Sequence, residues 1–223
     1  MFYCSNSVTD VSKTNGYGSL DEETVSIKSR KLNNGAGVAH YTYRCMAYPT
    51  IFHLISAIEK KEGVRCILIG GFAVNYHKVT RQTLDVDFAI AEEDFRKISA
   101  ALKKAGFKLD FIHKTFARFK ANDYYLTDID FMFVDKETFS KIIKDAKTIS
   151  IAKQKFMVPS LSTLLAMKLH AIKSNRKARE YKDIFDILSL IRANNLNYKS
   201  EEFKGLCLKY GTEELYQKIA SLM

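Results

Sequence analysis

The feature that most constrains this chain is a pair of aspartates, Asp85 and Asp87, one residue apart in an apolar segment. A predicted strand over 65–69 precedes them and ends in Gly70-Gly71. Alternate residues of a strand point to the same face, so the two carboxylates are expected to lie side by side. Like charges at that distance repel each other, and aspartate is depleted in strands. We therefore predict that a cation lies between them.

The residue types around this pair indicate a site for a metal-bound polyphosphate. Mg²⁺ takes carboxylate oxygens and leaves positions for substrate phosphates. Two consecutive glycines let the backbone approach a ligand closely, and the N–H groups of a following helix attract phosphate. A third carboxylate is expected on segment 124–134, which is predicted to be a strand with Asp128 and Asp130 at alternate positions. We favour Asp130, because the apolar run follows it directly.

Five motifs in this order resemble the DNA polymerase β-type nucleotidyltransferases, and more narrowly the AbiEii-like nucleotidyltransferases of toxin–antitoxin systems. The motifs are Gly70-Gly71, Arg81-x-Thr83-x-Asp85-x-Asp87, Ile129-Asp130-Phe131 and two predicted helical segments, 165–171 and 179–186. The resemblance covers about residues 49–195. It implies an enzyme that transfers a nucleotide from a nucleoside triphosphate (NTP) to an acceptor hydroxyl.

The resemblance also implies roles for individual residues. Two Mg²⁺ ions would be held by Asp85, Asp87 and Asp130, an arrangement that clamps the attacking and leaving oxygens of an in-line displacement. Gly70-Gly71 would face the phosphates. Arg81 and Thr83 lie in the loop that matches the family motif, just before Asp85 and Asp87. We expect Arg81 to contact phosphate, and the alternative is that it holds the loop.

Two residues of the helical motifs extend the predicted site. By resemblance, Lys168 reaches across a cleft to the triphosphate, and Asp183 acts as a base or orients the acceptor. Asp186 is expected to brace the helix pair. The alternative for Lys168 is an ordinary solvent-facing position. The alternative for Asp183 and Asp186 is exposed ion pairing with nearby basic side chains, and each such pair contributes only about 0.2–1 kcal/mol to stability.

The acceptor stays open at the level of sequence. By resemblance, the first candidate is an RNA 3′ end, in particular that of tRNA, which would make the chain a growth-inhibiting toxin with a cognate antitoxin. A protein side chain, a small hydroxylated antibiotic and a non-catalytic nucleotide- or partner-binding module are the alternatives. The basic stretch 173–182 is either a solvated turn or a surface for an RNA backbone or the triphosphate tail, and it disfavours a small acceptor.

Composition narrows the class of protein. The formal net charge of +10 favours polyanionic partners, although surface lysines that only confer solubility would give the same value. No apolar run approaches the roughly 20 residues that span a bilayer, and the first residues do not resemble a signal peptide. The four cysteines are far apart, without zinc spacing. Reduced thiols in a cytoplasmic protein are the simplest interpretation.

The pattern of elements predicts an α+β (mixed α/β) fold, with a small mixed sheet flanked by helices and then a helical subdomain. We expect a disordered N-terminal extension over 1–45, a catalytic domain over 46–158 and a helical subdomain over 159–223. Tyr76 and Tyr181 are expected in the core, because they stand at apolar helical spacing, and the alternative is that they stack on a base. No element is predicted between the strand that ends at Val134 and the hairpin over 148–158. The predicted helices are 49–63, 71–78, 92–104, 160–174, 178–194, 200–209 and 212–222, and the other predicted strands are 84–90, 107–112 and 115–120.

Overall fold

The computed structural model describes residues 48–122 and 126–223, so the expected disorder of 1–45 lies outside the described residues. The helices are α1 (Ile51–Glu62), α2 (Gly70–Tyr76), α3 (Phe95–Lys104), α4 (Lys136–Asp145), α5 (Leu161–Ser174), α6 (Arg176–Ala193), α7 (Glu201–Tyr210) and α8 (Glu213–Leu222). The strands are β1 (Ile67–Leu68), β2 (Val86–Ala91), β3 (Phe107–His113), β4 (Phe116–Ala121), β5 (Ile129–Val134), β6 (Lys147–Ile151) and β7 (Gln154–Val158). Among these elements, no helix is both long enough and apolar enough to cross a membrane.

The strands form one mixed sheet in the order β3-β4-β5-β2-β1-β7-β6. The neighbours β2 and β5 are parallel, as are β1 and β7, while the other pairs are antiparallel. Helices α1 and α3 cover one face of the sheet, and α4 covers the other. With α5–α8 following the sheet, the predicted α+β fold is confirmed.

The two central strands carry the largest part of the core. Phe88 of β2 and Phe131 of β5 are fully buried on the same face, where their rings stack with centroids 6.0 Å apart. Ile55 of α1 and Ile98 of α3 are buried in the same cluster. Because this face is filled by apolar side chains, the alternate residues of β2 and β5 point the other way, and these include the aspartates.

Helix α4 was not predicted, although local signals for it exist. Asp135 caps its N-terminus by accepting from the backbone N–H of Thr138 at 2.8 Å. Phe139 and Ile142 are buried against the sheet at helical spacing. The other positions of α4 are mostly charged or polar and exposed, so the apolar stripe is narrow and easy to overlook.

Strand β5 begins at Ile129, so the described residues 126–128 lie outside it, although the sequence predicted them within a strand. Asp128 lies just outside the strand, and its side chain accepts from the backbone N–H of Ala121 at 3.2 Å. That hydrogen bond ties the residue before β5 to the end of β4, which takes Asp128 out of the alternation that the sequence suggested.

The C-terminal helices build a second cluster that also includes α2. Ala73 and Val74 of α2 are fully buried among apolar side chains of α5–α8. The side chain of Asn194 donates a hydrogen bond to the backbone carbonyl of His77, at the end of α2. The ring of His77 is hydrogen-bonded to the backbone carbonyl of Pro159. The division into 46–158 and 159–223 stays a prediction, since α2 belongs to the first segment by sequence and packs with the second.

Glu59 gives a prediction about stability. Burial raises its pKa from 4.5 to about 7, although its Oε1 accepts from the backbone N–H of Cys66 at 2.7 Å. The unfolded chain ionises near pH 4.5, so ionisation destabilises the folded state as pH rises, and the full penalty is reached above about pH 7. Glu59→Gln keeps the acceptor and removes the charge. We expect a gain on the order of 1–2 kcal/mol at pH 8, after allowing for solvent screening, and almost none at pH 4.

Urea unfolding at both pH values measures this effect. Glu62→Gln, on the same helix, is the matched control and should follow the wild-type pH profile. An equal gain for Glu59→Gln at pH 4 and pH 8 would contradict the role of the charge.

Candidate active site

Three carboxylates come together at the start of the two central strands. Asp85 immediately precedes β2, Asp87 is the second residue of β2, and Asp130 is the second residue of β5. The parallel register pairs Asp87 directly with Asp130. One carboxylate oxygen from each of the three residues lies within 4.8 Å of the others. The structure therefore gathers the three predicted aspartates, while Asp128 bonds to Ala121 instead.

The electrostatics of this cluster favour a cation. Burial raises the pKa of Asp87 from 3.8 to about 6, and the neighbouring carboxylates of Asp85 and Asp130 act in the same direction. The positive charges of Lys182 and Arg179, on α6, act in the opposite direction. Three hard oxygen donors that repel one another are the donor set that a divalent cation such as Mg²⁺ takes. Asp85, Asp87 and Asp130 thus fit a divalent metal ion.

Arg118 is a site residue that the sequence analysis missed. Its Nε and one terminal nitrogen donate to the two oxygens of Asp130, at 2.8 and 2.6 Å. These bonds raise the pKa of Arg118 and fix the plane of a carboxylate that is only 5% exposed. The antiparallel register of β4 and β5 pairs the two residues, so the contact depends on strand pairing and no local motif contains it.

The two glycines of the motif make room for the carboxylate cluster. Gly70 has φ +58°, and a Cβ built on it would lie 1.8 Å from Oδ2 of Asp87. A Cβ on Gly71 would lie 2.6 Å from both Cβ and Oγ1 of Thr83. The Thr83 hydroxyl in turn donates toward the backbone carbonyl and the carboxylate of Asp85, at 3.1 and 3.2 Å. Gly70 therefore lets Asp87 approach the start of α2, and Gly71 does the same for Thr83.

Gly70→Ala should lower transfer activity by about 10²-fold or more, because the new methyl group must displace Asp87. Gly63→Ala is the matched control, since Gly63 has φ +64° but nothing lies within 4 Å of its Cβ position. Both variants carry left-handed backbone strain of about 1–2 kcal/mol, and only the first carries the clash. Steady-state rates and thermal melting of both proteins measure the difference. Equal activity in the two variants would contradict the proposed packing of Asp87.

Arg81 anchors the loop before Asp85 through contacts with neighbouring residues. Its backbone N–H and carbonyl bond to the side chain of Asn75, and one terminal nitrogen donates to the carbonyl of Gln82. Its Nε lies 3.1 Å from Oδ1 of Asp186 but is not directed to form a hydrogen bond. These contacts hold the loop before Asp85 against α6, and a contact with phosphate stays a prediction.

Lys168 forms a buried ionic network with both aspartates of the last motif. Its Nζ donates to Asp183 Oδ1 at 2.9 Å and to Asp186 Oδ2 at 2.6 Å, and its side chain is 8% exposed. Oδ2 of Asp183 is buried and has no hydrogen-bond partner among the described residues. Asp186, on α6, thus contacts both Lys168 of α5 and Arg81 of the loop before Asp85. The roles predicted for Lys168 and Asp183 toward substrate are not tested by these contacts.

The expected core positions of Tyr76 and Tyr181 are wrong. Tyr76 is 42% exposed and Tyr181 is 95% exposed. The buried stripe of α6 is instead formed by Ile184, Ile187 and the residues a turn further on. Each residue of an α-helix turns the chain by about 100°, so Tyr181 lies about 120° around the helix from Ile187, outside that stripe.

The basic stretch divides into bound and exposed cations. Arg176 donates to Glu180 and Glu214, so its charge is neutralised on the surface. The side chains of Lys173, Lys177, Arg179 and Lys182 are exposed. Among these four, Arg179 and Lys182 are the two whose charges act on Asp87.

Two cavities are prominent in the described residues, and neither is lined by α5–α8. The larger, about 510 Å³, lies beyond the far ends of β2 and β5, between Glu92 and His113, away from the carboxylates. The smaller, about 290 Å³, adjoins Asp85 and is lined mainly by apolar groups, including Phe52 and Phe72. Of the two, the smaller cavity is the one that reaches a carboxylate of the cluster. Its volume is at the lower limit of pockets that enclose drug-sized ligands.

A mixed sheet that presents three clustered carboxylates beside a Gly-Gly helix start has the arrangement of a nucleotidyltransferase. The family model described as "Nucleotidyl transferase AbiEii toxin, Type IV TA system" matches residues 54–222. The chain belongs to this family of nucleotidyltransferases. A comparison with curated proteins finds no significant match.

Several solved structures are similar at low identity. An antigenic nucleotidyltransferase-like protein from Paracoccidioides brasiliensis is 22% identical, with a TM-score of 0.48 over 76% of this chain and 87% of that one. The antibiotic-resistance factor ANT(2″)-Ia is 14% identical, with a TM-score of 0.47 over 76% and 88%. The lincosamide antibiotic adenylyltransferase LnuA is 18% identical, with a TM-score of 0.44 over 61% and 91%. These similarities are too low to transfer the ligands of those proteins to this chain.

Proposed function

We propose that this enzyme transfers a nucleoside monophosphate from an NTP to the 3′ hydroxyl of an RNA, with tRNA as the first candidate. The observation that carries the proposal is the cluster of Asp85, Asp87 and Asp130, with carboxylate oxygens within 4.8 Å, facing the cations of α6. The carboxylates suit a metal-bound triphosphate, and the cations suit a polyanionic acceptor. Membership of a toxin–antitoxin family adds a proposed antitoxin as the protein partner.

Asp85, Asp87 and Asp130 would hold the Mg²⁺ ions, two in number in this proposal. When bound, such ions polarise the phosphoryl oxygens and neutralise the charge that develops during displacement. Asp130 is the carboxylate assigned to the nucleophile side, where it can also accept the proton of the attacking hydroxyl. Arg118 keeps Asp130 in one orientation through its two hydrogen bonds, and Thr83 does the same for Asp85. The chain thus contributes mainly by positioning.

The phosphates are assigned to the start of α2 and to the basic residues opposite it. The family resemblance assigns the phosphates to Gly70 and Gly71, and Arg179 and Lys182 balance the negative charge of the carboxylates beside them. We retain Lys168 as a triphosphate contact and Asp183 as the group that orients the acceptor. Lys168 uses two of its three N–H donors on Asp183 and Asp186, and Asp183 Oδ2 has no partner among the described residues, so each side chain retains one group for substrate.

The exposed cations of α5 and α6 favour an RNA acceptor over a small molecule. A small hydroxylated acceptor calls for an acidic, enclosed pocket from the helical half. The exposed cations of α5 and α6, Lys173, Lys177, Arg179 and Lys182, offer a path for a phosphate backbone instead.

The test is transfer of label to RNA. Purified protein is incubated with Mg²⁺, total cellular RNA and each α-labelled NTP in turn, and Asp85→Ala/Asp87→Ala is the control. We expect label in a small RNA fraction only with the intact aspartates, with one preferred nucleotide. Label in added protein would replace RNA by a protein acceptor. Binding of NTP without transfer to RNA, protein or an antibiotic panel would indicate a non-catalytic module.

A further inference from the structure

Helix α6 carries two exposed aromatic side chains, four residues apart. Tyr181 is 95% exposed and Phe185 is 64% exposed. Adjoining exposed apolar side chains with charged residues around them mark interaction sites on protein surfaces. Neither ring is in contact with another described aromatic ring.

The two rings lie on the same helix that supplies the polar groups of the site. The inner side of α6 carries Asp183 and Asp186, both buried. Its edge carries Arg179 and Lys182, whose charges act on Asp87. Lys182 and Phe185 are three residues apart and are therefore neighbours on the surface of α6, so the aromatic surface adjoins one of these cations.

We propose that Tyr181 and Phe185 form a stacking surface for the unpaired bases immediately upstream of the RNA 3′ end that accepts the nucleotide. The inference rests on the proposed function, because it assigns the surface to that acceptor. Aromatic side chains stack on bases of any sequence, and interleaved cations bind the adjoining phosphates. Lys177, Arg179 and Lys182 are the exposed cations on this helix that would do so.

Stacking on the two rings selects single-stranded RNA. The bases of a duplex are paired and stacked on one another, whereas the unstacked bases of loops, bulges and ends can be splayed out and stacked on aromatic side chains. An unpaired 3′ end therefore suits the two rings, and a continuous duplex does not.

Kinetics of Tyr181→Ala/Phe185→Ala test the proposal. We expect KM for RNA to rise by about 5- to 150-fold for each aromatic ring removed, while KM for the NTP does not follow. Tyr181→Phe/Phe185→Tyr retains both rings and should restore KM. Tyr181→Leu/Phe185→Leu keeps apolar bulk without an aromatic face and should behave like the alanine variant. Phe111→Ala, at a residue of edge strand β3 that is 53% exposed, is the matched control.

The outcomes separate this inference from the function on which it rests. If the wild type labels RNA and the alanine variant has an unchanged KM for RNA, the stacking surface is refuted and the function stands. If the wild type labels no RNA, both fail. If KM for RNA is unchanged and sedimentation shows a dimer only when the rings are present, the surface is an interface between copies of this chain. Because both side chains are exposed, the variants should melt like the wild type.

Discussion

Asp87→Asn is expected to abolish nucleotide transfer and, without metal, to make the folded chain more stable. The change removes a donor that the site needs for catalysis, so activity should fall by about 10²–10³-fold or more. It also removes a negative charge that burial and the two neighbouring carboxylates disfavour. We expect a gain on the order of 1–3 kcal/mol in metal-free buffer. Urea unfolding with and without Mg²⁺ measures it, since Mg²⁺ should stabilise the wild type more than the variant.

Asp128→Asn is the matched control for this prediction. Asp128 lies near the cluster in sequence, but its carboxylate accepts from Ala121, and an asparagine oxygen can do the same. The control should retain activity and the response to Mg²⁺. Loss of activity in Asp128→Asn, with activity retained in Asp130→Asn, would overturn the choice of the third carboxylate.

Lys168→Met is expected to lower the free energy of unfolding by about 3–5 kcal/mol. The lysine is the only described side chain that donates hydrogen bonds to Asp183 and Asp186, both almost fully buried. Its removal leaves Asp183 without the cation that it contacts here and leaves Asp186 with Arg81 alone. A reduction of this size is a large fraction of the roughly 5–15 kcal/mol by which domains are stable. Urea unfolding of the variant, and of Lys173→Met at an exposed lysine of the same helix, measures the effect.

A triple variant separates the structural role of Lys168 from a role toward substrate. Lys168→Met/Asp183→Asn/Asp186→Asn removes the three buried charges and leaves only that of Arg81, whose side chain is 20% exposed, so much of the stability should return. If Lys168 also contacts the triphosphate, as we propose, the triple variant stays inactive although it is folded. If Lys168→Met unfolds like the wild type and only loses activity, the ion pairs contribute little and the lysine serves the substrate.

Local patterns in the sequence were sufficient to predict the carboxylate cluster. Alternation along one strand placed Asp85 and Asp87 together, and the apolar run after Asp130 singled it out from Asp128. Which strands become neighbours is decided by the whole fold. Arg118 could not be predicted for that reason, because its contact with Asp130 requires that β4 and β5 pair in one particular register.

Helical spacing was less informative, since it does not say which of two apolar stripes is buried. Tyr181 and Phe185 are four residues apart, as core residues often are, yet Ile184 and Ile187 form the buried side of α6. The burial of Lys168 was missed for a related reason. A lysine in a helix is ordinarily exposed, and only the two aspartates of α6, which are distant in sequence, make its burial tolerable.

The pairing of Asp87 with Asp130 has a consequence for how this enzyme can change in evolution. Hydrogen bonds between β2 and β5 set the distance between the two residues, and the chain that connects them does not. Insertions at the turn between β3 and β4, around Lys114, should therefore leave the reaction centre intact. A single residue inserted within β5 ahead of Asp130 would turn that carboxylate to the opposite face of the sheet. Length variation among related enzymes is thus expected in that turn, with the length of the two central strands kept constant.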